Sequence, residues 1–180
     1  MKLLLGAAVA LALAGTASAA PTPPELQSEL AGRWTGALGY RDYQSNKLFE
    51  LPVTTWIEAV PDGATQIRRS QYDEGPKQAP VWITSILQWA KDGSLATAAM
   101  RAGRDPELFR EAAQVTSYVA PDRWVIVYSR TGTDGDSQAE IRVTETRTGD
   151  DLLSVKEVRP VGNAQAPWQF RNQTRLKRVR

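Results

Sequence analysis

The sequence predicts an all-β domain, an up-and-down antiparallel β-barrel of about ten strands with a short N-terminal helix, and three observations predict it. From Gly32 onward, apolar and polar residues alternate with period two over most of the chain. Turn-forming clusters such as Pro61-Asp62-Gly63, Lys91-Asp92-Gly93 and Gly149-Asp150-Asp151 punctuate that alternation at short, regular intervals. No helical stretch long enough to carry one strand over to a parallel neighbour lies between them. Sequential hairpins leave two open edges, and joining the ends of the sheet removes both. A closed barrel is therefore expected, with a two-sheet sandwich as the alternative.

Residues 1–19, MKLLLGAAVALALAGTASA, stand apart from that domain. Lys2 gives a positive start, an apolar run of twelve residues follows (3–14), and Ala17-Ser18-Ala19 is a small-x-small cleavage pattern. The run is too short to span a bilayer, which takes about 20 residues. It reads as an export signal removed before Ala20, so the mature protein is expected in the periplasm or secreted. The proline-rich stretch 20–24 reads as a tether, and 25–31 (ELQSELA) as one or two helical turns with Leu26 and Leu30 on one face. Residues 20–31 thus lead into a barrel domain at 32–180.

Within that domain Trp34, Gly36, Leu38 and Tyr40 alternate as a first strand, and 51–60, 65–72, 81–89 and 95–101 continue the meander. Residues 105–119 are ambiguous. Asp105-Pro106-Glu107 resembles a helix start, yet 114–119 (QVTSYV) has strand composition, and an extended segment with an irregular start is expected. Strands at 124–130, 139–147, 152–158 and 168–179 complete the count. An outer-membrane barrel would need one uninterrupted apolar strand face. Charge falls on both faces here, at Arg68 and Arg69, Arg142 and Glu145, and Lys156 and Glu157, so the domain is not expected to span a membrane.

The segment 30–45, LAGRWTGALGYRDYQS, sets Gly32-Arg33-Trp34 directly after the short helix. It resembles the G-x-W opening of the lipocalin and calycin group, and in particular small uncharacterised bacterial lipocalin-like proteins. That resemblance implies a barrel closed at one end by the tryptophan, packed beneath an arginine of the last strand. Arg171, Arg175 and Arg178 are available, and Arg175 is taken with Gly32 and Trp34 as the closing set. The chain departs from typical lipocalins in having no cysteine, and from nitrobindin-like barrels in having no histidine to ligate haem.

Composition narrows the chemistry. Without cysteine there is no thiol nucleophile, disulfide or Cys-type metal site, and without histidine no Ser-His-Asp triad or imidazole base. A net charge of +2, from 22 basic and 20 acidic residues, argues against a nucleic-acid surface. Asp134 with Asp136, and Asp150 with Asp151, lack calcium-loop spacing, so no metal or cofactor is expected. G-x-S-x-G and S-x-x-K are absent. Binding of a small apolar or amphipathic molecule is the function expected. A filled barrel with a partner-binding surface, or a calycin-type enzyme using Tyr, Arg and a carboxylate, are the alternatives.

Two residue classes are candidates for the binding site. Trp56, Tyr72, Trp82 and Tyr128 could line a cavity and orient a ligand through their polar atoms, or simply fill the core. Adjacent Arg68 and Arg69 must face opposite sides of a strand, so one points inward, where it needs an anion or a carboxylate such as Glu58, Glu111, Glu140 or Glu145. Arg69 and Arg101 are taken as the ligand-binding arginines, while which arginines face inward stays open. Tyr40-Arg41-Asp42-Tyr43 offers a rim contact or a locally paired strand end.

Overall fold

The structure is a computed structural model and describes residues 21–41, 45 and 47–180. The expected export signal at 1–19, and Asp42 and Tyr43 of the rim motif, lie outside the described residues. Helix α1 (Pro23–Ser28) is followed by ten strands: β1 (Gly32–Arg41), β2 (Leu48–Ala59), β3 (Thr65–Tyr72), β4 (Val81–Trp89), β5 (Leu95–Arg101), β6 (Glu107–Ala120), β7 (Arg123–Asp134), β8 (Ser137–Thr148), β9 (Asp151–Pro160) and β10 (Gln169–Arg178). Each strand pairs antiparallel with its sequence neighbours, and β1 pairs with β10, so the sheet closes into a barrel rather than a sandwich. Among the described residues no helix is long and apolar enough to cross a membrane.

Local chemistry sets the corners. Asp134 pairs with Ser137 and Thr148 with Asp151, leaving two-residue loops whose first residues, Gly135 and Gly149, have φ of 62° and 61°. Only glycine enters that left-handed region without steric cost, and such turns match the twist of the flanking strands. Gly36 serves a different end. A Cβ there would lie 1.8 Å from the Arg175 carbonyl oxygen, so the close crossing of β1 and β10 that shuts the barrel excludes any side chain. Residues 107–120 are one strand, and its irregularity falls at the end rather than the start, with register shifts between Val115 and Ser117 and between Tyr118 and Ala120.

The helix starts two residues earlier than its apolar spacing indicates. Pro23 and Pro24 occupy its first turn, where a missing N–H costs nothing, so this end of the tether is helical. The Glu25 carboxylate accepts from the Thr22 amide at 2.6 Å and the Thr22 hydroxyl at 2.8 Å, fixing the start.

Helix α1 lies across one end of the barrel and Leu26 and Leu30 complete its core with Trp34, Trp89, Trp124 and Ile126. Burial of each such side chain favours folding by about 1.5–3 kcal/mol. Trp34 Nε1 donates to the Leu30 carbonyl at 2.8 Å, and the Arg178 guanidinium stacks 4.6 Å from the Trp34 ring while donating to the Ala31 carbonyl at 2.8 Å. Arg147 reaches the Glu29 carbonyl at 3.4 Å. Three side chains thus take up the carbonyls of Glu29, Leu30 and Ala31, where the chain passes from α1 to β1.

The closing arginine is therefore Arg178, a correction to Arg175. Leu176 is buried, so period two turns residues 174 and 178 inward and 175 outward. Arg175 pairs with Glu50 on the outside.

Candidate functional site

Above the packed end, the inward residues become small and polar. Thr55 and Ile57 on β2, and Arg68, Ser70 and Tyr72 on β3, form one wall of an internal cavity of about 150 Å³. Glu145 on β8, Leu152 and Ser154 on β9, and Thr174 and Leu176 on β10 form the facing wall. Each strand contributes alternate residues, which is period two seen from inside a barrel. The cavity is two-sided chemically. Ile57, Leu152 and Leu176 give it an apolar floor toward the closed end, and hydroxyls ring the rest.

The hydroxyls are not equivalent. Thr55 and Ser70 are opposite one another in the β2–β3 register and hydrogen-bond to each other at 2.9 Å. The Tyr72 phenol is pushed up by burial, an effect that the neighbouring Ser70 side chain reduces. Ser154 and Thr174 are register partners across β9 and β10, and Ser154 in turn faces Glu145 across β8. Neither of these two hydroxyls has a hydrogen-bond partner among the described residues. They open onto the cavity.

One buried polar network supports the site from below. Arg68 donates through Nη1 to Glu145 at 3.1 Å, through Nε to the Gln66 amide oxygen at 2.6 Å, and through Nη2 to the Gln27 amide oxygen. Gln27, reaching in from α1, donates through Nε2 to Glu145 and to the Tyr128 hydroxyl at 2.8 Å. The Gln66 amide returns a bond to the Gln27 carbonyl at 2.7 Å. Burial pulls the Arg68 guanidinium down, and the charges of Glu145 and the Tyr128 oxygen outweigh it, so its net shift is upward. Tyr128 lies well above its ordinary value, chiefly from burial and secondly from the Glu145 charge. The helix that caps the barrel also completes the hydrogen bonding of its buried ion pair.

Of the residues singled out from sequence, Tyr72 lines the cavity and Tyr128 lies in the network beneath it. The arginine of the pair that faces the cavity is Arg68, a correction to Arg69 as a ligand-binding residue. Arg68 shares a strand face with Gln66, Ser70 and Tyr72, whereas Arg69 shares the outer face with Ile67. Trp56 and Trp82 are also on the outer wall, stacked on one another with centroids 5.6 Å apart, and contribute nothing to the cavity. Arg101 is at the opposite rim, beside a separate surface pocket of about 360 Å³ that it shares with Ile83, Arg104 and Glu107. Glu145 is the inward arginine's carboxylate, as one of four candidates. Thr55, Ser154 and Thr174 carried no signal in the sequence beyond their alternation with core residues, and Gln27, on α1, carried none.

No family model matches the chain, and no curated protein matches it. Among solved structures it is similar to Rv2717c from M. tuberculosis, at 20% sequence identity and a TM-score of 0.59, over 89% of this chain and 100% of that one. A protein of unknown function from the DUF3598 family of Nostoc punctiforme aligns over 89% of this chain and 100% of its own at 8% identity, but a TM-score of 0.23 carries no argument. The chain is thus a ten-stranded antiparallel barrel whose likeness to Rv2717c is one of fold alone.

Proposed function

We propose that the protein is an exported, lipocalin-like barrel that binds a small amphipathic molecule without transforming it. The observation that carries this reading is the internal cavity of about 150 Å³, with Ile57, Leu152 and Leu176 on one side and open hydroxyls on the other. An apolar engineered cavity of about that volume takes up benzene. The molecule held here is accordingly on the scale of roughly six non-hydrogen atoms, which caps its affinity near the micromolar range. The N-terminal pattern of Lys2, an apolar run and Ala17-Ser18-Ala19 supports export, and Gly32 and Trp34 beneath Arg178 support the lipocalin-like assignment.

The test is a nuclear magnetic resonance titration of the chain from residue 20 with four- to six-carbon alcohols. The methyl signals of Ile57, Leu152 and Leu176 shift saturably in the wild type, and fail to do so in Thr174→Leu, whose longer side chain fills the cavity. Unshifted methyls in a folded wild-type protein overturn the reading.

A second reading, in which the barrel works through its outer surface, has its own observation. The outward positions Ile67, Ile86, Ala98 and Leu108 are successive register partners across β3 to β6, and form an apolar row in which Leu108 is 76% exposed. Monomers seldom leave such a face uncovered.

A further inference from the structure

Granting that the cavity binds a ligand, we infer that the ligand's polar group is uncharged and both donates and accepts hydrogen bonds, as an alcohol or a primary amide does. The inference comes from what the cavity has left to offer. Its charged groups are Arg68 and Glu145, 3.1 Å apart, so its wall is neutral overall. Arg68 is already held by Glu145, Gln66 and Gln27, each through a different nitrogen. A carboxylate entering the cavity would approach Glu145 as closely as Arg68, and two carboxylates sharing a site repel one another. An ammonium group meets the mirror-image problem with Arg68.

The neighbouring inward charges do not alter that balance. Lys156, the next inward residue on β9, is paired with Asp134 at 3.0 Å, and Asp134 also takes Arg171 at 2.6 Å. Arg130 lies 3.3 Å from Glu111. No inward cation among these is left to receive an anion without breaking a pair that burial makes costly to break.

What remains open is Ser154 and Thr174, side by side across β9 and β10. A hydroxyl is one donor and two acceptor sites, so an adjacent pair is matched by a group with both functions. A carboxylate only accepts and leaves the acceptor sites of both hydroxyls unfilled, and an ammonium only donates and leaves both O–H groups without an acceptor. Discrimination of this kind is strong because the mismatched site keeps unpaired polar atoms out of water. The apolar floor then takes the short hydrocarbon part.

Calorimetric titration with four ligands of equal size tests this: pentan-1-ol, butanamide, butanoate and pentan-1-amine at pH 7. The alcohol and the amide bind at least about tenfold more tightly than the two ions. Thr174→Val, which removes the hydroxyl and keeps the shape, weakens the alcohol and the amide and leaves the ions unchanged. Ser154→Ala repeats the result should the valine variant fail to fold. Butanoate or pentan-1-amine binding as tightly as the alcohol overturns the uncharged class and leaves the binding barrel standing. If none of the four binds, and the methyl signals near the cavity stay unmoved by all of them, the binding reading itself falls.

Discussion

Two inward arginine–carboxylate pairs, Arg68–Glu145 and Arg130–Glu111, are of similar burial and different quality. Arg68–Glu145, near the closed end, has side-chain exposures of 21% and 3%, and Arg130–Glu111, nearer the open end, has 18% and 10%. Their separations are close, 3.1 and 3.3 Å. The difference lies in what surrounds them. Gln27 and Gln66 complete the hydrogen bonding of the first pair. In the second, Arg130 Nε is near enough to Glu111 for charge attraction but is not aligned to donate to it, and has no hydrogen-bond partner. Its guanidinium instead lies 4.4 Å from the Phe109 ring centroid and over Gly132, where a Cβ would come within 2.1 Å of it. Burial alone therefore says little about what a pair contributes. A satisfied pair fixes a geometry, and an unsatisfied one stores a desolvation cost.

The largest effect separating the two comes from Glu145→Leu. It strands a buried guanidinium among polar partners arranged for a neutral set, and the expected loss is about 3–5 kcal/mol in urea unfolding. The double variant Arg68→Met/Glu145→Leu regains most of it, because apolar side chains of similar volume replace the pair. A single variant that costs less than about 1 kcal/mol would show that the network is no better satisfied than the Arg130 pair.

Gln27→Ala comes next, with an expected loss of about 1–3 kcal/mol for polar groups left unsatisfied on Arg68, Glu145 and Tyr128. Since the Gln27 side chain ties α1 to this network, amide exchange should rise across residues 23–30 before it rises in the strands. Uniform acceleration across the whole barrel would mean that the helix and the sheet open together and that α1 is no separate cap.

Those residues also mark how far the sequence could be read. The ten strands were legible because turn residues and period-two alternation agree over most of the chain after Gly32, 105–119 excepted, and the ends of β3, β4 and β5 coincide with the expected ones. Which face pointed inward was harder. On β3 the polar set, Gln66, Arg68, Ser70 and Tyr72, faces the interior and Ile67 faces out, the reverse of the usual pattern. A site containing both Arg69 and Tyr72 is impossible on one strand face, so the parity of Tyr72 alone could have selected Arg68. On β4, Trp82 follows the outer parity of Ile86, opposite to buried Trp89. Gln27 had no such handle. Its partners lie 101 residues away at Tyr128 and 118 away at Glu145, and only the closure of the barrel brings them beneath α1. The pairing of Ser154 with Thr174, which opens the cavity, likewise follows from register between strands and not from any local pattern.

The smallest effect is one of pH, and it probes the weaker pair. Burial raises the Glu111 carboxyl above the usual carboxylate range, and the charge of Arg130 offsets this only in part. The folded protein therefore holds this proton more tightly than the unfolded chain does. Its contribution to stability is fully present below the unfolded value, about 4.3, and is lost as pH rises through the raised folded value. Asp134 runs the other way. Burial pushes it up, but hydrogen bonds from Lys156 and Arg171 outweigh that and hold it low, so its contribution is lost as pH falls. Glu111→Gln removes the first dependence and keeps the second. The stability of the glutamine variant relative to the wild type should accordingly climb between about pH 4 and pH 7, measured as the difference in free energy from urea unfolding at each pH. A difference that stays flat over that interval would mean that Arg130 offsets the burial of Glu111 in full, and the contrast between the two pairs would then be geometric without being energetic.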